Sequence, residues 1–310
     1  MRPVFAAYFA VALNRLCLAG SRFQLLLEKT IHLKSSFTQG PVMPLAPSLL
    51  WIGDYQATLE FQLAAADSAL VLPLRQAPDV TTAIGLPSTD DATLEPTIVC
   101  LAEPRPGIIR FADIIALSRR WPLARIVSVA SCLADGQRRS GPTLPGVMAV
   151  PWHDFAARLR CWVAELASGR PGSLGHPVTA RRDERWQPTS LSSDVDHTQR
   201  RLQVTVASAT SATAEAVSDL VRVAGGEVVQ QLAGRPAIAD ESPCIIWDCG
   251  ERLDSALGWL HLLAGQRPGR LIILLCSFPR GDTVAAARAA GAAAVLGRPA
   301  DREALSGLLL

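Results

Sequence analysis

The C-terminal third of the chain alternates between short apolar runs and segments whose apolar residues recur at helical spacing. Residues 202–207 (LQVTVA) are rich in β-branched side chains, and residues 211–224 place Ala, Val and Leu three or four positions apart after a Ser/Thr cap. The remaining pattern predicts strands at 227–232, 244–247, 270–276 and 292–296 and helices at 253–264, 283–290 and 301–310. Because the strands are mostly continuous apolar runs, we expect a parallel sheet that is covered by helices on both faces.

The region before residue 168 repeats this plan. Residues 121–129 (WPLARIVSV) are similar to 267–275 (RPGRLIILL). The match is weaker at residues 133–145, which contain two Gly and two Pro and predict a poor helix. The repeated plan as a whole predicts two paired domains of one kind rather than a solenoid. The first domain is predicted to have strands at 48–52, 69–74, 97–101, 125–130 and 147–150 and helices at 57–66, 111–119 and 154–166.

Composition changes divide the chain into four parts. Between residues 168 and 201, Gly, Pro, Ser, Thr and charged residues replace the apolar periodicity, which predicts a flexible linker. The folded domains are then 43–167 and 202–310, behind a poorly structured or helical leader at 1–42. An apolar stretch in that leader superficially resembles a signal peptide, but Asn14 and Arg15 interrupt it, and we expect a cytoplasmic protein.

Charge and cysteine content exclude several classes of function. The net charge of +2, from 30 basic and 28 acidic residues, gives no reason to expect a nucleic-acid partner. The seven cysteines mostly lie within apolar runs, which favours buried reduced thiols. No CxxC motif or Cys/His cluster has the spacing of metal ligands, so we expect neither a zinc site nor a cofactor.

Three segments of the second domain carry a family resemblance. They are 245–248 (IIWD) at the end of the third strand, 274–277 (LLCS) at the end of the fourth, and 291–299 (GAAAVLGRP) before the last helix. With these segments, 202–310 resembles a response-regulator receiver domain, and 43–167 resembles a more degenerate copy. The resemblance implies an α/β fold with two flavodoxin-like (βα)5 domains, each with a five-stranded parallel sheet of strand order 2-1-3-4-5.

The resemblance also implies a site at the carboxyl ends of the strands. In the family, two acidic residues hold Mg²⁺, an aspartate accepts phosphate, and a hydroxyl and a lysine contact the phosphoryl group. In the second domain Asp248 matches the acceptor, but 207–209 (ASA) lacks the acidic pair. Cys276, next to Ser277, matches the hydroxyl position, and Arg298 before Pro299 matches the lysine. With one carboxylate ligand left, we expect weak Mg²⁺ binding at best and a vestigial site.

The first domain departs from the pattern in other ways. Asp54 follows its first strand, where a turn aspartate is the more ordinary interpretation. Glu103 replaces the acceptor, and it lacks the extra charge and oxygens by which it could imitate a phosphorylated aspartate. Ser131 matches the hydroxyl position, but no basic residue precedes Pro151. We therefore expect a vestigial site here as well.

These expectations lead to a non-catalytic signalling protein that acts through protein contacts. The resemblance implies that the apolar face at 283–310 packs on the other domain, on another subunit or on a signalling partner. One alternative is a phosphorelay receiver that is phosphorylated at Asp248. Another is a small-molecule binder or enzyme that only shares the flavodoxin-like sheet. We expect neither a nucleic acid nor a membrane as partner.

Overall fold

Two five-stranded parallel sheets form the described part of the chain. A computed structural model describes residues 47–87, 95–138, 144–169, 172–175, 201–251 and 253–310. Both sheets belong to one compact unit that spans residues 45–310. The predicted leader at 1–42 lies outside the described residues, and so does most of the predicted linker, residues 176–200.

The first half has the strand order β2-β1-β3-β4-β5. Its strands are β1 (Leu49–Ile52), β2 (Leu74–Ala77), β3 (Ile98–Glu103), β4 (Arg125–Ala130) and β5 (Met148–Pro151). Its helices are α1 (Leu59–Ala69), α2 (Val80–Ile84), α3 (Phe111–Arg120), α4 (Cys132–Arg138) and α5 (Trp152–Ala167).

The second half has the equivalent order β7-β6-β8-β9-β10. Its strands are β6 (Gln203–Ser208), β7 (Glu227–Ala233), β8 (Cys244–Gly250), β9 (Leu271–Cys276) and β10 (Ala294–Gly297). Its helices are α6 (Ser211–Val223), α7 (Leu253–Gln266), α8 (Gly281–Ala289) and α9 (Arg302–Leu309). Residues 234–243, all described, connect β7 to β8 without a helix. The predicted fold class and strand order are confirmed.

Two predictions in the first half are wrong in detail. The second strand begins at Leu74, not at residue 69, because α1 continues to Ala69 and its Ser68 hydroxyl donates to the carbonyl of Ala64. Residues 132–138 form the short helix α4 although the stretch was expected to be a poor helix. Its first turn is capped by Ser131, whose hydroxyl accepts from the amide of Ala134.

One continuous core joins the two halves. Trp51 of β1 packs edge-to-face against Phe61 and Phe155, and Phe155 packs in the same way against Trp162. The same cluster extends through apolar residues of the second half, including Val284 of α8 and Val295 of β10. The halves therefore share buried apolar surface, which stabilises their association by roughly 25 cal/mol for each Å² removed from water.

The face at 283–310 is covered by the first half of the same chain. Helix α9 packs along α5, α8 contacts α1, and β10 contacts α5. This face was expected to pack on the other domain, on another subunit or on a signalling partner, and in the structure it packs on the other domain. After α5, a short 3-10 helix (Ser173–Gly175) returns to the molecule, and Leu174 is buried in the shared core.

No helix within the described ranges combines the length and the apolar character that crossing a bilayer requires.

Candidate functional site

Asp248 ends the apolar run of β8 and is buried, with 4% of its surface exposed. Its Oδ2 accepts a hydrogen bond from the hydroxyl of Ser208 at 3.0 Å. Its Oδ1 accepts from the amide of Gly250 at 3.0 Å, and Nε of Arg298 lies 3.3 Å from the same oxygen. Both carboxylate oxygens therefore already have donors from the protein itself.

The geometry does not fit a magnesium site. Mg²⁺ prefers octahedral coordination by oxygen and is usually bound through one or two carboxylates. Here Ser208, at the end of β6, stands where the resemblance places acidic ligands, and it donates to Asp248 instead. The cation next to the carboxylate is Arg298. Among the residues that the structure describes, no group of three or more His, Cys, Asp or Glu side chains could hold a metal ion.

The positions expected to read a phosphoryl group lie at the same edge of the sheet. Cys276 ends β9, and burial, followed by the negative charge of Asp248, raises the pKa of its thiol to about 11. The amide of the adjacent Ser277 donates to the carbonyl of Gly250 at 2.9 Å. Arg298 and Pro299 follow β10 and are joined by a cis peptide bond. This edge therefore carries an ion pair and a protonated thiol.

In the first half, Asp54 and Glu103 form hydrogen bonds within their own sheet and turn. Asp54 is exposed, and its Oδ1 accepts from the amide of Gln56 at 2.8 Å, which is a turn of the Asx type. Glu103 ends β3 with 8% of its surface exposed, and its Oε2 accepts from the hydroxyl of Ser128 at 2.7 Å. The Ser128 hydroxyl thus provides a hydrogen-bond donor for this buried carboxylate, as a buried polar group requires.

Ser131 likewise has a structural role. Its hydroxyl donates to the carbonyl of Pro104 at 2.8 Å and accepts from the amide of Ala134 at 3.2 Å, so it joins the β3 end to the first turn of α4. Its amide donates to the carbonyl of Glu103 at 3.1 Å. These bonds use the hydroxyl that the resemblance assigns to phosphate.

Sequence reasoning missed the side chains that connect this edge to the first half. Asp154 of α5 is buried, and its Oδ1 lies 2.8 Å from Nδ1 of His153 and accepts from the amide of Gly297 at 3.4 Å. Gly297 directly precedes Arg298, which pairs with Asp248. No local pattern around His153 and Asp154 indicates this contact, because the tertiary fold alone brings them to β10.

Comparisons with known proteins found only distant similarities to solved structures. No protein-family model and no curated protein matches the chain. One solved structure that is similar is a pilus assembly-related protein of Burkholderia pseudomallei, with 22% identity over 34% of this chain and 84% of that one and a TM-score of 0.31. A response regulator of the same organism, with a phosphorylated aspartic acid, has 23% identity over 35% and 66% and a TM-score of 0.31.

A third similar structure is the C-terminal part of Escherichia coli RcsC, which contains a linker region and a phosphoreceiver domain. It has 12% identity over 87% of this chain and 93% of that one, with a TM-score of 0.30. At these TM-scores the likenesses carry no functional weight. The strand order and the parallel register show that both halves have a receiver-like fold.

Proposed function

We propose that the chain is a non-catalytic regulatory protein made of two pseudo-receiver domains, which acts through protein–protein contacts without being phosphorylated. The environment of Asp248 supports this proposal best. Its carboxylate accepts from a hydroxyl and an amide and pairs with Arg298, and no second acidic side chain joins it among the described contacts.

The chemistry of phosphoryl transfer explains why this environment favours an inactive site. A carboxylate attacks a phosphoryl donor well only when a metal ion neutralises the negative charge that accumulates. An ion-paired carboxylate with both oxygens hydrogen-bonded is a weaker nucleophile, and it would have to break those bonds to react. The proposal therefore assigns Asp248 a structural role.

A phosphorelay receiver is the alternative. It is favoured by the buried place of Asp248 at the carboxyl end of β8, next to an arginine that could pair with a phosphoryl group. The two functions differ in one measurable property, namely whether Asp248 accepts a phosphoryl group when Mg²⁺ and a donor are present.

The decisive experiment incubates the full chain with Mg²⁺ and acetyl phosphate and measures its intact mass, with Asp248→Asn as the control for the site. We expect no phosphoryl adduct that depends on Asp248, and no heat of Mg²⁺ binding by calorimetry. An adduct in the wild type that disappears in Asp248→Asn would overturn the proposal.

A variant with restored ligands serves as the positive control for these assays. Ser208→Asp with Ala209→Asp restores the acidic pair that the family resemblance implies, and Arg298→Lys restores the lysine. We expect this triple variant to bind Mg²⁺ more tightly than the wild type, because hard carboxylate ligands are what the site lacks.

The contacts between the halves limit where a signalling partner could bind. In the receiver family the face equivalent to α8, β10 and α9 meets partners or a second receiver, and here the first half covers it. We therefore place the contact with a signalling partner on other surfaces of the molecule.

All described cysteines are free thiols, which supports a location in the reducing environment of the cytoplasm.

A further inference from the structure

Two cysteines from neighbouring strands lie next to Asp248. The register of β8 on β9 pairs Asp248 with Leu275 and Gly250 with Cys276, so a bulge leaves Cys249 between two paired residues. In such a bulge, two residues of one strand oppose one residue of the other. Cys249 and Gly250 therefore together face Cys276.

The two thiols also lie on the same side of the sheet. Cys276 belongs to the core cluster shared by the two halves, and Cys249 packs against that cluster. The residue paired with Asp248, Leu275, belongs to a core cluster on the other side. Neighbouring strands are roughly 4.8 Å apart, and disulfides join Cα atoms at about 4.4–6.8 Å. The strand spacing therefore suits a bond between these cysteines.

We propose that Cys249 and Cys276 form an oxidisable dithiol that closes to a disulfide by exchange with a small-molecule disulfide such as oxidised glutathione. Cys249 is the more exposed of the two and reacts first. Its thiolate attacks one sulfur of the small disulfide and forms a mixed disulfide, while the other half leaves and takes up a proton. The Cys276 thiolate then attacks Sγ of Cys249 and expels the second small thiol.

This exchange is balanced in atoms and electrons. The two cysteines lose two protons and two electrons, and the small disulfide is reduced to two thiols. The closed bond would join the bulge of β8 to the end of β9 and so fix the segment that carries Asp248.

The surroundings make the exchange slow and the product persistent. Burial, the neighbouring Cys276 and Asp248 raise the pKa of the Cys249 thiol to about 12, and that of Cys276 is raised to about 11, chiefly by burial. Few thiolates are therefore present at neutral pH, which slows the first attack. The same destabilisation of the thiolates favours the disulfide once it has formed, because a thiolate with a high pKa is a poor leaving group.

Cys132 provides a matched control. Like Cys249 it is half-buried, and burial raises its pKa to about 12, but it contacts Trp152 and Pro279. The full chain, carrying Cys17→Ser because residue 17 lies outside the described residues, is incubated with oxidised glutathione at pH 7 to 9. Remaining thiols are then alkylated, and the digested peptides are identified by mass spectrometry.

We expect a crosslink between the peptides of Cys249 and Cys276, and at most a glutathione adduct on Cys132. The crosslink should form about tenfold faster for each pH unit, in step with the thiolate fraction. In Cys276→Ser the crosslink is lost and Cys249 keeps its glutathione. In urea the preference for this pair disappears, because the folded sheet no longer holds the two thiols together.

The proposal is overturned if the folded Cys17→Ser protein at pH 9 yields no such crosslink, or if Cys249 stops at the glutathione adduct as Cys132 does. Crosslinks of Cys249 to other cysteines that form as readily would contradict it as well. None of these outcomes depends on whether Asp248 accepts phosphate.

Discussion

Gly307 of α9 lies directly against the backbone of Ala157 in α5. A Cβ at position 307 would overlap the carbonyl oxygen of Ala157 and stand 2.9 Å from the amide nitrogen of Cys161. Because backbone atoms cannot move aside as the end of a flexible side chain can, the close approach of the two helices requires a glycine here. The packing of the two halves thus depends on a residue that has no side chain.

Gly307→Ala should therefore destabilise the protein by about 1–3 kcal/mol, the usual cost of overpacking a well-packed interface. The measurement is the free energy of unfolding in urea. Gly258, which lies within α7, is the control, because a Cβ there meets nothing within 4 Å. Gly258→Ala should stabilise the protein by up to about 1 kcal/mol through helix propensity. Equal effects of the two substitutions would show that α5 and α9 do not pack this closely.

Glu303 of α9 lies in the same interface and binds side chains of α5. Its Oε2 accepts hydrogen bonds from Nη2 of Arg158 at 2.7 Å, from Nε of Arg158 at 3.1 Å and from Nε1 of Trp162 at 3.1 Å. Glu303→Ala should cost about 1.5–3 kcal/mol in unfolding free energy, because it removes the charged hydrogen bonds of the buried Arg158 and leaves it with the more distant Asp301, at 3.5 Å. Asp219→Ala removes an exposed partner of Arg222 and should change stability by less than about 0.5 kcal/mol. A Glu303→Ala effect as small as that of the control would contradict a buried ion pair.

Sequence patterns predicted the sheets well because their central strands are buried on both faces. Strands such as β4 and β9 are apolar along almost their whole length, and this property identified them directly. The edge strand β2 (LRQA) has two half-buried and one exposed residue, so its apolar signal is weak and it was placed five residues too early. The helix α4 was missed because its stability depends on a cap and tertiary contacts, which composition does not reveal.

The resemblance predicted which residues meet at this sheet edge, but it did not predict most of the hydrogen bonds that they form. Asp248 and Arg298 are 50 positions apart in the sequence, and the receiver resemblance alone placed them at one sheet edge. The hydrogen bond from the Ser208 hydroxyl to Asp248 does not follow from the resemblance, because the family has an acidic residue at that position. Contacts such as Asp154 with Gly297 depend on how the halves dock, and no local pattern encodes that arrangement.

Acid should weaken the interface through Glu303. Burial alone would raise the pKa of this carboxyl, but the charge of Arg158 and the hydrogen bonds from Arg158 and Trp162 outweigh it and hold the pKa below its ordinary value of 4.5. A carboxyl with a lowered pKa stabilises the fold above its ordinary value, and this contribution is lost as the pH falls through the lower folded-state pKa. The stabilisation is therefore complete near pH 6 and declines below pH 4.5.

The test compares the unfolding free energies of the wild type and Glu303→Gln between pH 6 and pH 3. The difference should shrink towards low pH, because the unfolded wild type binds a proton at Glu303 below its ordinary pKa of 4.5 while the folded protein resists this protonation. The comparison also reduces the contribution of Asp301, whose pKa is raised chiefly by burial and to a smaller extent by Glu303 itself, and whose effect on stability has the opposite sign. A difference that stays constant over this range would mean that the charge of Glu303 does not stabilise the interface.

Asp67 of α1 and Arg288 of α8 form a second ion pair between the halves, with Nη1 to Oδ1 at 2.9 Å and Nη2 to Oδ2 at 2.5 Å. Each side chain is 26% exposed, so water screens the pair only in part. A double-mutant cycle of Asp67→Ala and Arg288→Ala should give a coupling energy of about 0.5–3 kcal/mol in unfolding free energy.

The matched cycle combines Asp67→Ala with Arg222→Ala, whose guanidinium pairs with Asp219 on the surface of α6. Distant and independent sites are additive, so this second cycle should give a coupling energy within about 0.5 kcal/mol of zero. The bidentate contact exists only when α1 lies against α8, and the coupling therefore measures the docking of the two halves in solution. If the Asp67–Arg288 coupling is no larger than that of the control, the halves do not associate through α1 and α8, and the covered face at 283–310 would be open to another partner.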